Sequence, residues 1–405
     1  MFKFRLAQLS LVMAAIGFAS VAHAETVRAE IGNPLQEAQK LMKAGKNKEA
    51  LGELRKLDSV GGKTPNEIFL IDKVRASAAS AAGDLDAANK AFEALIASGK
   101  LGGAESARYQ EGLVGNYMRM RDFGKANAMI NKVLADHPDP KMHAYLVQNY
   151  YAMGNFAQAT KELQVELRAD EKNGRAPSEE QLQMLANLQL RSGDKAGYVT
   201  AIEKLATYYP KVNYWTDLLN RVSGKPGFSE RLSVDVWRLK LANNLIKKPS
   251  EFMEMSQLVL QATAPGEAIK VIDKGYKAGA FGVGADAPRH QRLKDLAEKT
   301  AADNVKNAAA MEATLVKTKD NDGLAALGYA LVQAGQADKG LKMMEEAIKA
   351  NGLKHPEDAK LHLGIAYAVA GKKPQAISTL KGVGGTDGTA DLARYWIMAI
   401  NHPSA

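Results

Sequence analysis

LHLGIAYAVAGKKPQAI, residues 361–377, sets Leu363-Gly364, Tyr367, Gly371 and Ala376 at fixed intervals and carries neither a carboxylate nor a thiol. Where so little chemistry is available, the spacing is the information. The template is a small residue, a glycine seven positions on and an alanine twelve on. It recurs from Ala38, Ala76, Val114, Val147, Ala186, Ser256, Gly328 and Gly364. The glycine position holds Gly45, Gly83, Arg121, Gly154, Gly193, Thr263, Gly335 and Gly371. The alanine position holds Ala50, Ala88, Ala126, Ala159, Tyr198, Ala268, Gly340 and Ala376. Sixteen residues on, a column not used to find the pattern is apolar every time: Leu54, Phe92, Ile130, Leu163, Ile202, Ile272, Met344 and Leu380.

The spacing has a direct physical reading. A small residue on one helix lets a second helix approach closely, and the alanine answers it from the other side. Glycine supplies the positive φ that ends the first helix sharply. Tyrosine and the later apolar residue fill the seam. One helix pair cannot bury its own apolar face, so the units must stack, and a polar cap must end the stack. ADLARYWIMAIN, residues 390–401, is the expected cap. Two intervals between units are about double the rest, which predicts degenerate units at 213–248 and 286–320. In the first, helices are expected at NYWTDLLNRV and SERLSVDVWRLKLANNL. The second is helical in composition throughout but lacks a glycine at the turn.

This pattern resembles the tetratricopeptide repeat, a helix–turn–helix unit of about 34 residues. Its L-G-x-x-Y and A-x-x-x-F signature is matched by Leu363-Gly364, Tyr367, Ala376 and Leu380. Tyr117, Ala126, Ile130 and the closing Pro138 match it too, as do Tyr150, Ala159 and Leu163, and Pro210 closes the fifth unit. The likeness covers nearly all of residues 31–387, with Tyr198, Arg121 and Thr263 as departures. It implies an all-α chain of the α-α superhelix type.

The resemblance also implies that the first helices of successive units line a concave groove. The inward positions are then Arg108, Glu111, Met118 and Arg119, followed by Lys141, Gln148 and Tyr151, and by Gln183, Asn187 and Arg191. Met253, Gln257 and Gln261, then Tyr329 and Gln333, continue the series. A row of amides can pair with the backbone of an extended peptide whatever its sequence. Arginine and lysine beside them favour a carboxylate. Chaperone-binding members of the family use a Lys and Asn clamp, of which only Asn187 meets the pattern.

The N-terminus carries Lys3 and Arg5, an apolar run to about Val21, and Ala22-His23-Ala24. Together these read as a secretory signal peptide cleaved after about Ala24, with no transmembrane anchor left behind. The expected division is a signal peptide over 1–24, repeats over 25–210, an aromatic-rich degenerate joint over 211–248, repeats over 249–387 with 286–320 degenerate, and a capping helix and tail over 388–405. The chain holds 54 Lys and Arg against 45 Asp and Glu, a net charge of +9. That is mildly basic, without the concentrated arm of a nucleic-acid binder. The absence of cysteine removes disulfides, thiolate metal sites and cysteine nucleophiles.

Other chemical signals are weak. GGKT at 61–64 ends like a phosphate loop, but Leu57 stands where the leading glycine belongs. GVGGTDGT at 382–389 lacks the lysine and reads as a loop before the cap. His137, His143, His290, His355, His362 and His402 show no metal-ligand spacing. Ser192 and Lys195 match S-x-x-K without its companion motifs. Glu105-Ser106 is similar to the catalytic pair of lytic transglycosylases but is not followed by their next stretch. No catalytic residue, cofactor or metal is expected.

The expectation is a non-catalytic periplasmic scaffold or adaptor for a cell-envelope assembly, holding a protein or peptide partner and no nucleic acid. The chain is also similar to envelope repeat proteins found with TonB-type systems. The alternative is a binder of cell-wall glycan or exported polysaccharide. It would use the aromatic patch of Tyr214, Trp215 and Trp237, which lies among Tyr208, Tyr209 and Phe228. The other reading of that patch is a packed joint between helices.

Overall fold

The structure is a computed structural model that describes residues 27–403, so the expected signal peptide lies outside the described residues. Among the described residues every regular element is helical. The chain forms two compact units, one ending at Arg175 and the other beginning at Ala176.

The first unit is four helix pairs: α1 (Ala29–Lys43) with α2 (Asn47–Lys56), α3 (Pro65–Ala82) with α4 (Leu85–Ala97), α5 (Gly103–Arg119) with α6 (Phe123–Asp136), and α7 (Pro140–Ala152) with α8 (Phe156–Lys172). In the second unit, α9 (Glu179–Ser192) pairs with α10 (Lys195–Tyr208). Next come α11 (Val212–Ser223), a short 3₁₀ turn and α12 (Ser233–Ala242). A further pair, α13 (Pro249–Gln261) and α14 (Pro265–Lys277), precedes the 32-residue helix α15 (Ala287–Thr318). The pairs α16 (Asn321–Gln333) with α17 (Ala337–Lys349) and α18 (Pro356–Val369) with α19 (Lys373–Lys381) lead to a last helix, α20 (Thr389–Asn401).

All eight turn positions read from the sequence take positive φ, between 57° and 89°, including Arg121 and Thr263. In four of them the next residue caps the second helix. Asp84, Asp122, Asn155 and Asp194 each accept a hydrogen bond from the backbone N–H three residues on. A left-handed residue followed by an Asx cap stops one helix and starts the next with almost no loop. The apolar column is buried throughout, from Leu54 to Leu380. The closest helix approach is in the α16–α17 pair. A Cβ on Gly328 would stand 2.6 Å from the Gly340 carbonyl oxygen, so nothing larger than hydrogen fits there.

Two expectations are revised. The 286–320 segment is one uninterrupted helix rather than a degraded pair. It is alanine-rich, and no left-handed residue occurs before Lys319 at φ 55°. The helix at 390–401 is not an outer cap. Leu392, Ala393 and Tyr395 are buried, and Tyr395 meets Trp215 of α11 edge-on at 6.4 Å. Arg394 pairs with Glu203 of α10 at 2.8 Å, and Asp391 pairs with Lys225 at 2.9 Å. The second unit therefore closes on itself. Its last helix covers the apolar face of α10–α12, which an open stack would have left to solvent.

Thr263 is β-branched in a left-handed conformation, which costs roughly 1–2 kcal/mol. Thr263→Gly should raise stability by about 1 kcal/mol in urea denaturation. Gly340→Ala should lower it by about 1–3 kcal/mol through overpacking of α16 on α17.

Candidate functional site

The groove positions divide into those the protein uses internally and those it leaves free. In the first unit Glu111 of α5 accepts a hydrogen bond from the Tyr145 hydroxyl at 3.2 Å and forms an ion pair with Lys141, both from the start of α7. The second unit repeats the device. Glu179 of α9 is held by Lys211 at 2.6 Å and by the Tyr214 hydroxyl at 2.5 Å, and Gln183 donates to the same hydroxyl at 2.6 Å. Hydrogen bonds from Lys211 and then Tyr214 hold the Glu179 carboxyl below its ordinary value. Lys141 and Gln183, read as ligand contacts, thus serve as clasps between successive units. Amide pairs do the same work deeper in the first unit. Asn116 donates to Asn89 at 2.8 Å, and Asn149 donates to Asn127 at 2.6 Å.

What remains on the first-helix face of the first unit is a short set. Arg108 and Arg119 lie eleven residues apart on α5, close to three helical turns, so they share one stripe. Both are exposed, and neither has an ion-pair or hydrogen-bond partner among the described residues. Gln148 of α7 is half-buried and likewise without a partner. Met118 packs partly against the core, and Tyr151 stands edge-on to Phe156 at 5.6 Å. The acids beside this stripe are already taken, which leaves two guanidiniums to find a carboxylate elsewhere.

The corresponding face of the second unit is closed. Helix α12 lies inside it and turns Arg238 into a buried hub. The guanidinium donates to Glu267 of α14 at 2.9 and 2.8 Å and to Asp235 at 2.8 Å. It also lies 4.7 Å from the ring centroid of Tyr329 on α16. His362 of α18 sits 2.9 Å from Asp235 through its Nε2. Asp235, Arg238, Glu267 and Tyr329 are all under 8% exposed. Burial works to raise the Asp235 carboxyl, but His362 and Arg238 outweigh it and hold it at about 2. Burial also pushes the Tyr329 hydroxyl well up.

Tyr329, Gln333 and Met253 are consequently buried rather than presented to a ligand. Asn187, Gln257 and Gln261 remain partly or fully exposed, and Arg191 is exposed at the end of α9. The sequence reading missed Asp235, Arg238 and Glu267. The available signal was a charge three residues from another on a helix whose neighbours, Val236 and Leu239, are apolar.

Of the two readings of the aromatic patch, the packed joint is the one that Trp215 and Tyr214 follow. Trp215 is 1% exposed beneath Tyr395, and Tyr214 is buried with its hydroxyl on Glu179. Trp237 is half-buried, with the Lys240 ammonium 4.3 Å above its ring, and Tyr208 at the end of α10 is exposed. The glycine-rich stretches are structural as well. Lys63 closes its own loop on the Leu57 carbonyl at 2.8 Å, and Thr64 caps α3. Asp387 in the second stretch binds Arg231 at 2.6 Å. Among the described residues no cluster of three metal-ligating side chains occurs.

All three tryptophans belong to the second unit, so their fluorescence reports it alone. Arg238→Met strips the buried Glu267 of its ion pair and leaves buried Asp235 with His362 alone. It should destabilise that unit by about 3–5 kcal/mol in fluorescence-monitored urea denaturation. A circular-dichroism transition from the first unit should persist unchanged. Replacing Asp235, Arg238 and Glu267 together with apolar residues should cost much less. The Asp235 carboxyl is depressed from 3.8 to about 2, so its stabilisation is present above pH 3.8 and is lost as pH falls towards 2. An acid titration of tryptophan fluorescence should show that loss, and Asp235→Asn should flatten it.

Residues 325–383, which span α16–α19, match the family model of the tetratricopeptide repeat. No curated protein matches the chain. Among solved structures, one of Naa15/Naa10 bound to HypK-THB shares 14% identity at a TM-score of 0.32, covering 89% of this chain and 63% of that one. The pentatricopeptide repeat protein PPR10 from maize shares 14% at 0.31, covering 92% and 62%. Yeast Tom70 shares 13% at 0.22, covering 91% and 95%. This chain thus spans less than two thirds of the first two. The family match covers residues 325–383, and eight helix pairs along the described residues share its hairpin form.

Proposed function

We propose that this chain, whose residues 325–383 match the tetratricopeptide-repeat model and whose helix pairs repeat that hairpin, is a non-catalytic scaffold. It holds a segment of a protein partner against the first-helix face of its first unit. The observation that carries this reading is the unpaired set of Arg108, Arg119 and Gln148 on α5 and α7, beside a clasp that engages Glu111. Two guanidiniums on one stripe favour a carboxylate-bearing segment, and the amide can pair with its backbone. Proteins built from such repeats generally act as interaction scaffolds and not as catalysts. The setting we propose is the periplasm, as part of a cell-envelope assembly. The support for it is the basic start, apolar run and Ala22-His23-Ala24 at the N-terminus.

A photo-crosslinking residue at position 148, in the full chain with its leader and expressed in the native host, tests both parts. One dominant envelope protein among the adducts is the expected outcome, and its yield should fall when Arg108 and Arg119 are changed to glutamate. Absence of any protein adduct from exported, folded protein would sink the reading.

A further inference from the structure

The second unit carries a cleft that the scaffold reading does not use. It lies between the start of α14, the middle of α15 and the end of α16, and it measures about 570 Å³. That lies within the 300–1,000 Å³ typical of ligand pockets. Its closed end is made by backbone contact. A Cβ on Gly266 would lie 2.9 Å from the Ala334 nitrogen, so α14 begins directly against the end of α16. The walls are short apolar side chains, Ile269 from α14 and Ala301, Ala302 and Val305 from α15.

Two ammonium groups, Lys270 and Lys306, stand at this cleft, and no carboxylate lines it. Lys270 donates to the buried Gln333 amide oxygen at 2.9 Å and has no ion-pair partner. Lys306 has no partner among the described residues. The nearest acid to Lys270, Glu267, is already committed to Arg238. Desolvation lowers the Lys270 ammonium below its ordinary value, with Glu267 acting weakly against this. An arriving carboxylate would favour the charged form and so work against that lowering.

We propose that this cleft is a second docking site, and that its occupant is an acidic peptide segment of a partner protein. One apolar side chain of that segment rests on Ala301, Ala302 and Val305, and its carboxylates rest on Lys270 and Lys306. Charge complementarity selects the acid: two cations without counter-ions face an uncharged wall. The open form of the cleft selects a peptide over a fatty acid, because an acyl chain laid here would leave one side in water. The site is independent of Arg108, Arg119 and Gln148, which belong to the other unit.

The test is fluorescence anisotropy on the full mature chain with a labelled hexapeptide of alternating leucine and glutamate, beside its leucine–glutamine counterpart. The glutamate peptide should bind, with affinity falling at high salt, and the glutamine peptide should bind at least about tenfold more weakly. Lys270→Glu with Lys306→Glu should weaken binding by about tenfold or more, while Lys270→Arg with Lys306→Arg retains it. Circular dichroism and tryptophan fluorescence check that both variants stay folded. Arg108→Glu with Arg119→Glu should remove at most a first-unit share of the binding and leave in place the share that the lysine reversals abolish. Equal binding of the two peptides, no binding of either, or indifference to the charge reversal would overturn the proposal. So would loss of binding on changing Arg108 and Arg119, which would move the peptide to the first unit. A fluorescent fatty acid that binds and is released by the lysine reversals, with the peptide ignored, would make the cleft a lipid site instead.

Discussion

One buried guanidinium organises the second unit. Arg238 leaves water only because Glu267 and Asp235 meet it at 2.8 Å and the Tyr329 ring covers it. Its partners come from α12, α14 and α16, and His362 adds α18. Four helices separated widely in sequence are thus held to one charge. Such a cluster gives little net stability against an apolar equivalent, yet it punishes any arrangement that leaves one member unpaired. It therefore acts on which packing forms more than on how tightly the packing holds. It ties α12 to α14, α16 and α18 inside the unit.

Among its described residues the first unit has no buried guanidinium of this kind and is built by repetition. Left-handed turns and Asx caps set each hairpin, and the buried column from Leu54 to Leu163 fills each seam. Glu–Lys–Tyr and Asn–Asn clasps then tie one hairpin to the next. Because those ties are local and similar, the first-helix face stays open, and its few uncommitted side chains stand out. The same Glu–Lys–Tyr clasp recurs at Glu179, Lys211 and Tyr214. There it lies beside a face already occupied from within.

Much of the hairpin architecture was legible in the residues. Eight turn positions predicted eight left-handed residues, and even Arg121 and Thr263 obeyed, because a connection of two or three residues between packed helices admits few other geometries. The candidate site was legible only in part. Helix offsets assigned Arg108, Arg119 and Gln148 to the inward, groove-lining face, and the structure leaves the two arginines exposed and Gln148 half-buried. The same offsets assigned Lys141, Gln183 and Tyr329 to a ligand, although their partners are 30 to 91 residues away in this same chain. A one-helix offset says which way a side chain points. It carries no word on what comes to meet it.

The sequence by itself determined the period, the turns, the helix pairs and their buried seams, since each depends on residues within about one repeat of each other. Only the tertiary structure decided that 287–318 runs as one helix, that α12 fills the inner face of the second unit, and that α20 folds back on Trp215. It also decided that Lys270 and Lys306 face one cleft without an acid. Those outcomes rest on charges and rings brought together from distant positions. Their energies depend on desolvation and mutual distance, which no local pattern records.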